Sequence, residues 1–270
     1  MPTFAALVAY DGARFSGFQR QSAEKGPTVQ GALEAALRRL TGVATTVMAA
    51  GRTDAGVHAT GQVVSFTGVA ALTPATWRRA LNALLPEDVA VRACCVAAEG
   101  FHARRDAVSR RYSYRILCDP LRSPLAERYA WRRPRSLDVA AMDRAARSLL
   151  GEHDFGAFGS SPRDSRAEGF RGHTVRTMLT AECCAGPGSD PWRGEEYLVE
   201  CVFAANAFLT GMVRRLVGTL VLVGEGRLSV EEFAAILVAR EKAHPGAAAP
   251  ARGLCLTVVE YPAGMVSWQG

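Results

Sequence analysis

The chain has 270 residues, of which 49% are hydrophobic and 21% are charged, so its composition excludes a disordered or fibrous protein and allows one or two domains. The formal net charge is +6, and all but two of the 32 basic residues are arginine, the exceptions being Lys25 and Lys242. Because arginine matches phosphate geometry and stacks on bases, this excess favours a nucleic-acid partner, although a codon bias towards arginine produces the same composition.

The first part of the chain is predicted to run strand, helix, strand pair, helix and strand. Its predicted strands are residues 4–10, 45–49, 62–67 and 89–96. Helices are expected to begin after Thr28, ending at Gly42, and at Thr73-Pro74, ending before Pro86. A loop over residues 51–61 separates the two central strands.

The second part repeats this pattern with insertions. Its predicted strands are residues 109–118, 175–184, 197–204 and 254–261. Its predicted helices are residues 137–150, 207–223 and 229–240, and Ser229 with Glu232 has the spacing of a capping box. Residues 159–172 and 241–251 are rich in Ser, Gly, Pro or Ala and are expected to be loose.

These elements predict an α+β fold of two ferredoxin-like (split βαβ) halves. The halves are expected to share a mixed, mostly antiparallel sheet with helices on one side and a cleft between the halves. We place the N-terminal half at residues 1–107 and the C-terminal half at residues 108–270. Because no low-complexity linker separates them, we expect the sheet to be continuous.

Sequence features also predict a cytoplasmic location. No basic segment followed by an apolar stretch resembles a signal peptide near Met1, and no apolar run reaches the ~18 residues of a membrane span. The seven cysteines are an odd number without CxxC spacing, which favours reduced thiols over disulfides or a metal site.

One segment has the composition of a reactive loop: Gly51-Arg52-Thr53-Asp54-Ala55-Gly56-Val57-His58-Ala59, between two predicted strands. Its glycines permit tight backbone conformations and close approach of a substrate. Asp54 is then a carboxylate on a loop held by strands, able to act as a nucleophile, a general base or a metal ligand. Asp-Ala-Gly is also ordinary turn chemistry, so the residues alone leave a purely structural role for Asp54 open.

This nine-residue segment resembles the active-site motif of the tRNA pseudouridine synthase A family. Further segments resemble the family in the same order along nearly the whole chain; they are 10–12, 15–21, 28–30, 101–104, 110–114, 151–155, 174–177, 206–209, 212–218, 253–256 and 261–262. The resemblance implies an enzyme that isomerises uridine to pseudouridine in the anticodon stem-loop of tRNA, at positions 38, 39 and 40. It also implies that no cofactor or metal is needed, and that a homodimer holds tRNA across both subunits.

Site residues follow from the resemblance position by position. Asp54 matches the catalytic aspartate, which acts during cleavage of the C1′–N1 bond and re-attachment through C5, by attack on the ribose or the base or by proton abstraction. Tyr112 matches the tyrosine that stacks on the target base, Arg52 the arginine that helps to flip the base or holds a phosphate, and Arg214 an arginine paired with Asp54. The alternatives are a half-buried strand tyrosine and two solvated arginines.

Neighbouring residues receive less specific roles. We expect His58 to make a structural hydrogen bond to the backbone, His153-Asp154 to be no metal site, and Asp11 to shape the turn after the first strand. An RNA-facing surface is predicted for the 159–172 segment and for Arg14, Arg20, Arg104, Arg105, Arg110 and Arg111. Phe18 and Arg105 depart from the family pattern, which has tryptophan and an aromatic residue there.

Two rival functions remain at this stage. One is a related enzyme that modifies other RNA uridines, and the other is a non-catalytic protein that binds or folds tRNA. The intact Asp54 motif argues against the second rival, since a protein without catalysis has no need for it.

Overall fold

Two compact units make up the computed structural model, which describes residues 1–68, 72–160, 174–187, 197–239 and 246–268. The first unit comprises Met1–Arg110 and Cys255–Gly270, and the second comprises Arg111–Leu254. These bounds differ from the expected halves 1–107 and 108–270 chiefly at the C-terminus. The last strand returns to the first unit because it pairs with a strand there.

The first unit contains two helices and a mostly antiparallel sheet. Its elements are β1 (Thr3–Tyr10), α1 (Val29–Thr41), β2 (Met48–Ala49), β3 (His58–Thr67), α2 (Pro74–Leu84), β4 (Val89–Val96) and β10 (Leu254–Glu260). The strand order is β4-β1-β3-β10. Strand β1 pairs antiparallel with both β3 and β4, and β2 pairs antiparallel with the far end of β3. Strand β10 runs parallel to the start of β3, at His58 and Ala59.

Local sequence explains where these helices begin and end. Thr28 and Thr73 are N-caps, each accepting a hydrogen bond from a backbone N–H of the first turn. Gly42 ends α1 in a left-handed conformation with φ of 74°, which a residue with a Cβ adopts only under strain. Both expected helices of this unit are therefore confirmed, and β4 has its expected bounds.

Two apolar clusters form the core of the first unit. Phe4, Phe66 and Trp77 pack their rings together, with centroids 5.3–5.8 Å apart. A second cluster is built on Phe101 and Val63, and the C-terminal segment covers it with Tyr261 and Trp268. The C-terminal tail thus belongs to the first unit by packing as well as by strand pairing.

In its described residues, the second unit has three α-helices and a further set of strands. Its elements are β5 (Ser109–Cys118, whose first two residues belong to the first unit), β6 (Trp131–Arg133), α3 (Val139–Arg147), β7 (Gly151–Asp154), β8 (Val175–Pro187), β9 (Tyr197–Ala205), α4 (Met212–Gly224) and α5 (Val230–Ala239). The strand order is β5-β9-β8-β7, with β6 parallel to β5. The pairs β7–β8 and β8–β9 are antiparallel. An α+β class with mostly antiparallel strands is therefore confirmed.

Several boundaries differ from the sequence predictions. Helix α4 begins at Met212 rather than at residue 207, because Gly211 is in the left-handed region with φ of 71° and Thr210 bridges to Ser160. The short strands β6 and β7 were not expected. Strand β2 covers only two residues of the predicted 45–49, and β3 starts four residues earlier than predicted.

The described part of the segment expected to be loose, residues 246–251, packs closely on α4. A Cβ on Gly246 would lie 2.5 Å from the backbone nitrogen of Thr219, and one on Gly218 would lie 1.8 Å from the carbonyl oxygen of Ala247. The backbone N–H of Ala249 donates to the carbonyl of Arg214 at 2.9 Å. Most of the 159–172 segment lies outside the described residues.

All seven cysteines are free thiols, and four of them are buried. Burial raises the pKa of the Cys94 thiol to about 12. Among the described residues, no helix is both long and apolar enough to cross a membrane.

We predict that Gly61→Ala destabilises the first unit, because the added Cβ would lie 1.9 Å from the carbonyl oxygen of Thr257 in β10. Backbone has to move to relieve this clash, so we expect a loss of about 2–3 kcal/mol and a Tm lower by roughly 5–10 °C. Gly186→Ala in β8 is the matched control, since nothing lies within 4 Å of its Cβ position. Equal melting temperatures for the two variants in thermal denaturation followed by circular dichroism would contradict the close approach of β3 and β10.

Candidate active site

The segment with Asp54 is the loop over residues 51–57, which joins β2 to β3 in the first unit. Along this loop buried residues alternate with accessible ones. Thr53 and Val57 are buried, Asp54 is half-buried and Arg52 is exposed. The loop therefore presents Arg52 and Asp54 at its surface while its buried members anchor it.

Buried side chains of the sheet hold the start of this loop. The Gln62 side chain donates from Nε2 to the carbonyl of Gly51 at 2.6 Å and accepts from the Gly51 N–H at 3.3 Å. The Tyr10 hydroxyl lies 2.8 Å from the Thr53 hydroxyl. Since Tyr10 and Gln62 are on β1 and β3, two strands fix the residues on either side of Arg52.

The segment after β1 holds the rest of the loop through its backbone. The N–H of Phe18 donates to the carbonyl of Thr53 at 3.0 Å, and the N–H of Gly56 donates to the carbonyl of Phe15 at 3.3 Å. A Cβ on Gly17, whose φ is 107°, would lie 2.9 Å from the carbonyl oxygen of Thr53. Glycine is required at position 17 by both the backbone conformation and this close approach.

His58 makes the backbone hydrogen bond expected of it. Its Nδ1 accepts from the N–H of Gly12 at 3.1 Å. The Asp11 carboxylate lies 3.1 Å from the same nitrogen and also accepts from the N–H of Ala13 at 2.9 Å. By accepting from the Ala13 N–H, Asp11 shapes the turn after β1, as predicted.

Tyr112 and Arg214 belong to the second unit. Tyr112 is buried on β5, and its ring meets Phe208 edge to face with centroids 5.1 Å apart. Arg214 lies in the first turn of α4, and its Nε donates to the carbonyl of Ala249 at 2.7 Å. Both side chains are therefore held within their own unit, and Arg214 is half-buried rather than fully solvated.

The prediction of an RNA-facing role for Arg110 is wrong for that residue, whereas the other five arginines of the predicted surface are exposed. Arg110 is 8% exposed. Its guanidinium donates to the carbonyls of Ala50 at 3.1 Å, Arg104 at 2.6 Å and Ala107 at 2.9 Å. Arg110 belongs to the first unit, where these bonds stabilise the backbone just before the loop.

The structure also shows the surroundings of Phe18 and His153. Phe18, where the family has tryptophan, is buried with its ring 6.2 Å from that of Tyr10, so it belongs to the core beneath the loop. The His153 ring packs edge to face on Phe155 at 6.0 Å. No group of three or more potential metal-binding side chains occurs in the part of the chain that the structure describes.

Sequence reasoning missed Tyr10, Thr53 and Gln62 as members of the site. The available signal was Gln62, a polar residue directly before the apolar pair Val63-Val64 of a predicted strand. A buried carboxamide requires partners, and Gly51 and Tyr10 supply them.

This chain is similar to known proteins over nearly all of its length. A family model described as tRNA pseudouridine synthase matches residues 6–104 and 145–262. A tRNA pseudouridine synthase A from Roseiflexus castenholzii is 44% identical over 262 residues, covering 97% of this chain and 92% of the relative. The proteins of that name from Chloroflexus aurantiacus and Moorella thermoacetica are each 43% identical. They cover 99% and 97% of this chain, and 92% and 100% of their own lengths.

We predict that Arg110→Met lowers the stability of the protein, because three backbone carbonyls lose a buried charged donor. The expected loss is about 2–3 kcal/mol. Arg105→Met is the matched control, since Arg105 is exposed and its side chain is outside this network. Urea denaturation followed by tryptophan fluorescence measures both; equal stabilities would contradict the anchoring role.

Proposed function

The chain belongs to the tRNA pseudouridine synthase family, and from this premise we propose where its reaction occurs and which residues perform it. The enzyme is an isomerase that converts uridine in tRNA to pseudouridine. We place the target uridines in the anticodon stem-loop at positions 38, 39 and 40. The observation that supports the isomerase activity most directly is the loop of residues 51–57. This loop keeps the family motif and presents a half-buried Asp54 between anchored neighbours.

The chemistry needs one carboxylate and no cofactor. The C1′–N1 bond of uridine breaks and a C1′–C5 bond forms, while C5 loses a hydrogen and N1 gains one, so atoms and electrons balance. Asp54 acts as the nucleophile in this exchange, at the ribose or at the base, or as the base that removes the C5 proton. In each case an ionised carboxylate has to meet the target nucleoside where water is excluded.

The remaining site residues bind and orient the nucleoside. We infer that Tyr112 stacks on the flipped base, for which an aromatic face contributes ~1–3 kcal/mol. The edge-to-face contact with Phe208 supports this role because it fixes the plane of the Tyr112 ring. Arg52 helps to flip the base or holds a phosphate, and Arg214 pairs with Asp54 to keep it ionised and oriented.

We further propose that the units are ferredoxin-like halves with the active cleft between them, the N-terminal half supplying Asp54. The order β4-β1-β3 with β2 on β3, all antiparallel and with helices after β1 and β3, supports this for the first unit. In the second unit β5, β9 and β8 are adjacent in that order, and α3 follows β5 in the chain. The enzyme acts in the cytoplasm as a homodimer that holds tRNA across both subunits.

Asp54→Asn is the central test of this function. We expect wild-type enzyme to form pseudouridine in unmodified tRNA and Asp54→Asn to form none, because the amide is neither a nucleophile nor a base. Carbodiimide labelling with primer extension maps the modified positions, since pseudouridine and uridine have the same mass.

Glu99→Gln is the control, because it makes the same chemical change at an exposed carboxylate of the same unit. Product from both wild type and Asp54→Asn would remove Asp54 from the mechanism. Product from neither would favour the non-catalytic tRNA-binding protein, and product at other uridines would favour the related enzyme.

We also predict that tRNA binding weakens steeply with salt, because arginines release counterions from phosphates. Replacing the exposed Arg104 and Arg105 by alanine is expected to lower the slope of log affinity against log salt by about 1–2. The control is the alanine double variant of Arg144 and Arg147, which are exposed on α3. Filter binding over a salt titration measures the slopes, and an unchanged slope for the first pair would exclude those arginines from the RNA surface.

A further inference from the structure

Three polar side chains form a buried network beneath the Asp54 loop, in the first unit. Tyr10 is 4% exposed, Thr53 is 7% exposed and Gln62 is fully buried. Val8 and Phe18 are neighbours in the same core. Burying polar groups in such surroundings is unfavourable unless they are hydrogen-bonded, so the network has a stability cost that a phenylalanine and an aliphatic residue would avoid.

Hydrogen bonds join these three side chains to one another and to the start of the loop. Gln62 Nε2 has two hydrogens, one donated to the Gly51 carbonyl at 2.6 Å and one to the Tyr10 hydroxyl oxygen at 3.4 Å. The Tyr10 and Thr53 hydroxyl oxygens lie 2.8 Å apart, and either hydroxyl can donate the hydrogen that joins them. Burial raises the pKa of Tyr10 to about 12, so its hydroxyl keeps its proton throughout the neutral range.

The Gln62 side chain replaces backbone pairing where the pairing of β2 with β3 ends. Backbone pairing continues from Ala49 opposite Val64 to the N–H of Ala50, which donates to the Val63 carbonyl at 2.8 Å. At the next residue the Gly51 peptide groups bond to the Gln62 side chain instead of its backbone. The backbone of Gly51 is therefore separated from the backbone of β3 by the length of the Gln62 side chain, and it remains hydrogen-bonded.

Thr53 directly precedes Asp54, so the hydrogen bonds of Thr53 affect the position of Asp54. Its side chain is held by Tyr10 from β1, and its carbonyl is held by the N–H of Phe18 at 3.0 Å. Two contacts through different groups fix the orientation of the peptide that leads into Asp54. A shift of about 1 Å in a reacting group can lower a rate ~100-fold, so this orientation matters for the reaction.

We propose that the Tyr10 hydroxyl and the Gln62 carboxamide are positioning groups for Asp54, acting through Thr53 and Gly51. The inference rests on the proposed function, since it assumes that Asp54 reacts with the nucleoside. Neither group contacts the substrate. They determine how often the Asp54 carboxylate occupies its reactive position, and tRNA affinity does not depend on them.

Single-turnover rates with unmodified tRNA, measured well below the Tm of each variant, test the proposal. Tyr10→Phe removes only the hydroxyl, and Thr53→Val replaces the Thr53 hydroxyl by a methyl group. We expect each to lower the rate about 10- to 100-fold with an unchanged Kd for tRNA. The double variant is expected to be no slower than the slower single variant, because both changes break the same hydrogen bond.

Two controls separate positioning from a general structural role. Thr53→Ser retains the hydroxyl and is expected to restore the rate to near the wild-type value. Tyr261→Phe makes the same change at a tyrosine of this unit whose hydroxyl donates to the Ala103 carbonyl at 2.7 Å, away from the loop. Tyr261→Phe is expected to lower Tm without changing the rate.

Gln62→Met is a second variant, and we expect it to lower the rate at unchanged Kd. Wild-type rates for Tyr10→Phe and Thr53→Val, or an effect on Kd alone, would overturn the proposal. Additive losses in the double variant would overturn it as well. These results are distinct from failure of the proposed function, which would appear as absence of pseudouridine from the wild-type reaction.

Discussion

The first unit depends on satisfying the peptide groups of the loop over residues 51–57 while leaving Asp54 accessible. A loop that leaves a sheet cannot use the sheet's backbone for every hydrogen bond, so it needs other partners. The Gln62 side chain supplies partners for the peptide groups of Gly51, and the backbone of Phe15 and Phe18 supplies them for Gly56 and Thr53. Tyr10 adds a hydrogen bond to the Thr53 side chain. Each partner is buried, so water does not compete for these bonds.

The same constraint explains the glycines of the segment after β1. A Cβ on Gly12 would lie 2.0 Å from the carbonyl oxygen of Val57, and a Cβ on Gly17 would lie 2.9 Å from that of Thr53. The two segments therefore contact each other backbone to backbone at both ends of the loop. His58 adds a third contact by accepting from the Gly12 N–H. Segment and loop form one structural element, and a change in either is expected to move the other.

The sequence predicted those features that depend on short-range patterns. Capping residues such as Thr28 and Ser229 and the strand patterns of β4 and β5 lie within a few positions of the structure that they specify. The Asp54 motif is equally short. Features that depend on residues distant in sequence were missed. The start of α4 depends on Gly211 and the Thr210–Ser160 bridge, and the return of β10 to the first unit depends on pairing across nearly 200 residues. Tyr10 and Gln62 are 52 positions apart, and only the fold reveals their hydrogen bond.

Arginine content illustrates why composition is an incomplete guide to an RNA surface. Arg110 contributes to the net charge of +6, yet its guanidinium is buried against three carbonyls. Arg14 and Arg20 are exposed but lie within 3.4 Å of Asp88 and Glu34. Such surface ion pairs are weak enough for RNA phosphates to displace the carboxylate. Breaking the pair reduces the electrostatic free energy gained when the arginine binds the phosphate. Charge of this size attracts tRNA without selecting one uridine, so we infer that selection depends on the shape of the substrate and on capture of a single base beside Asp54.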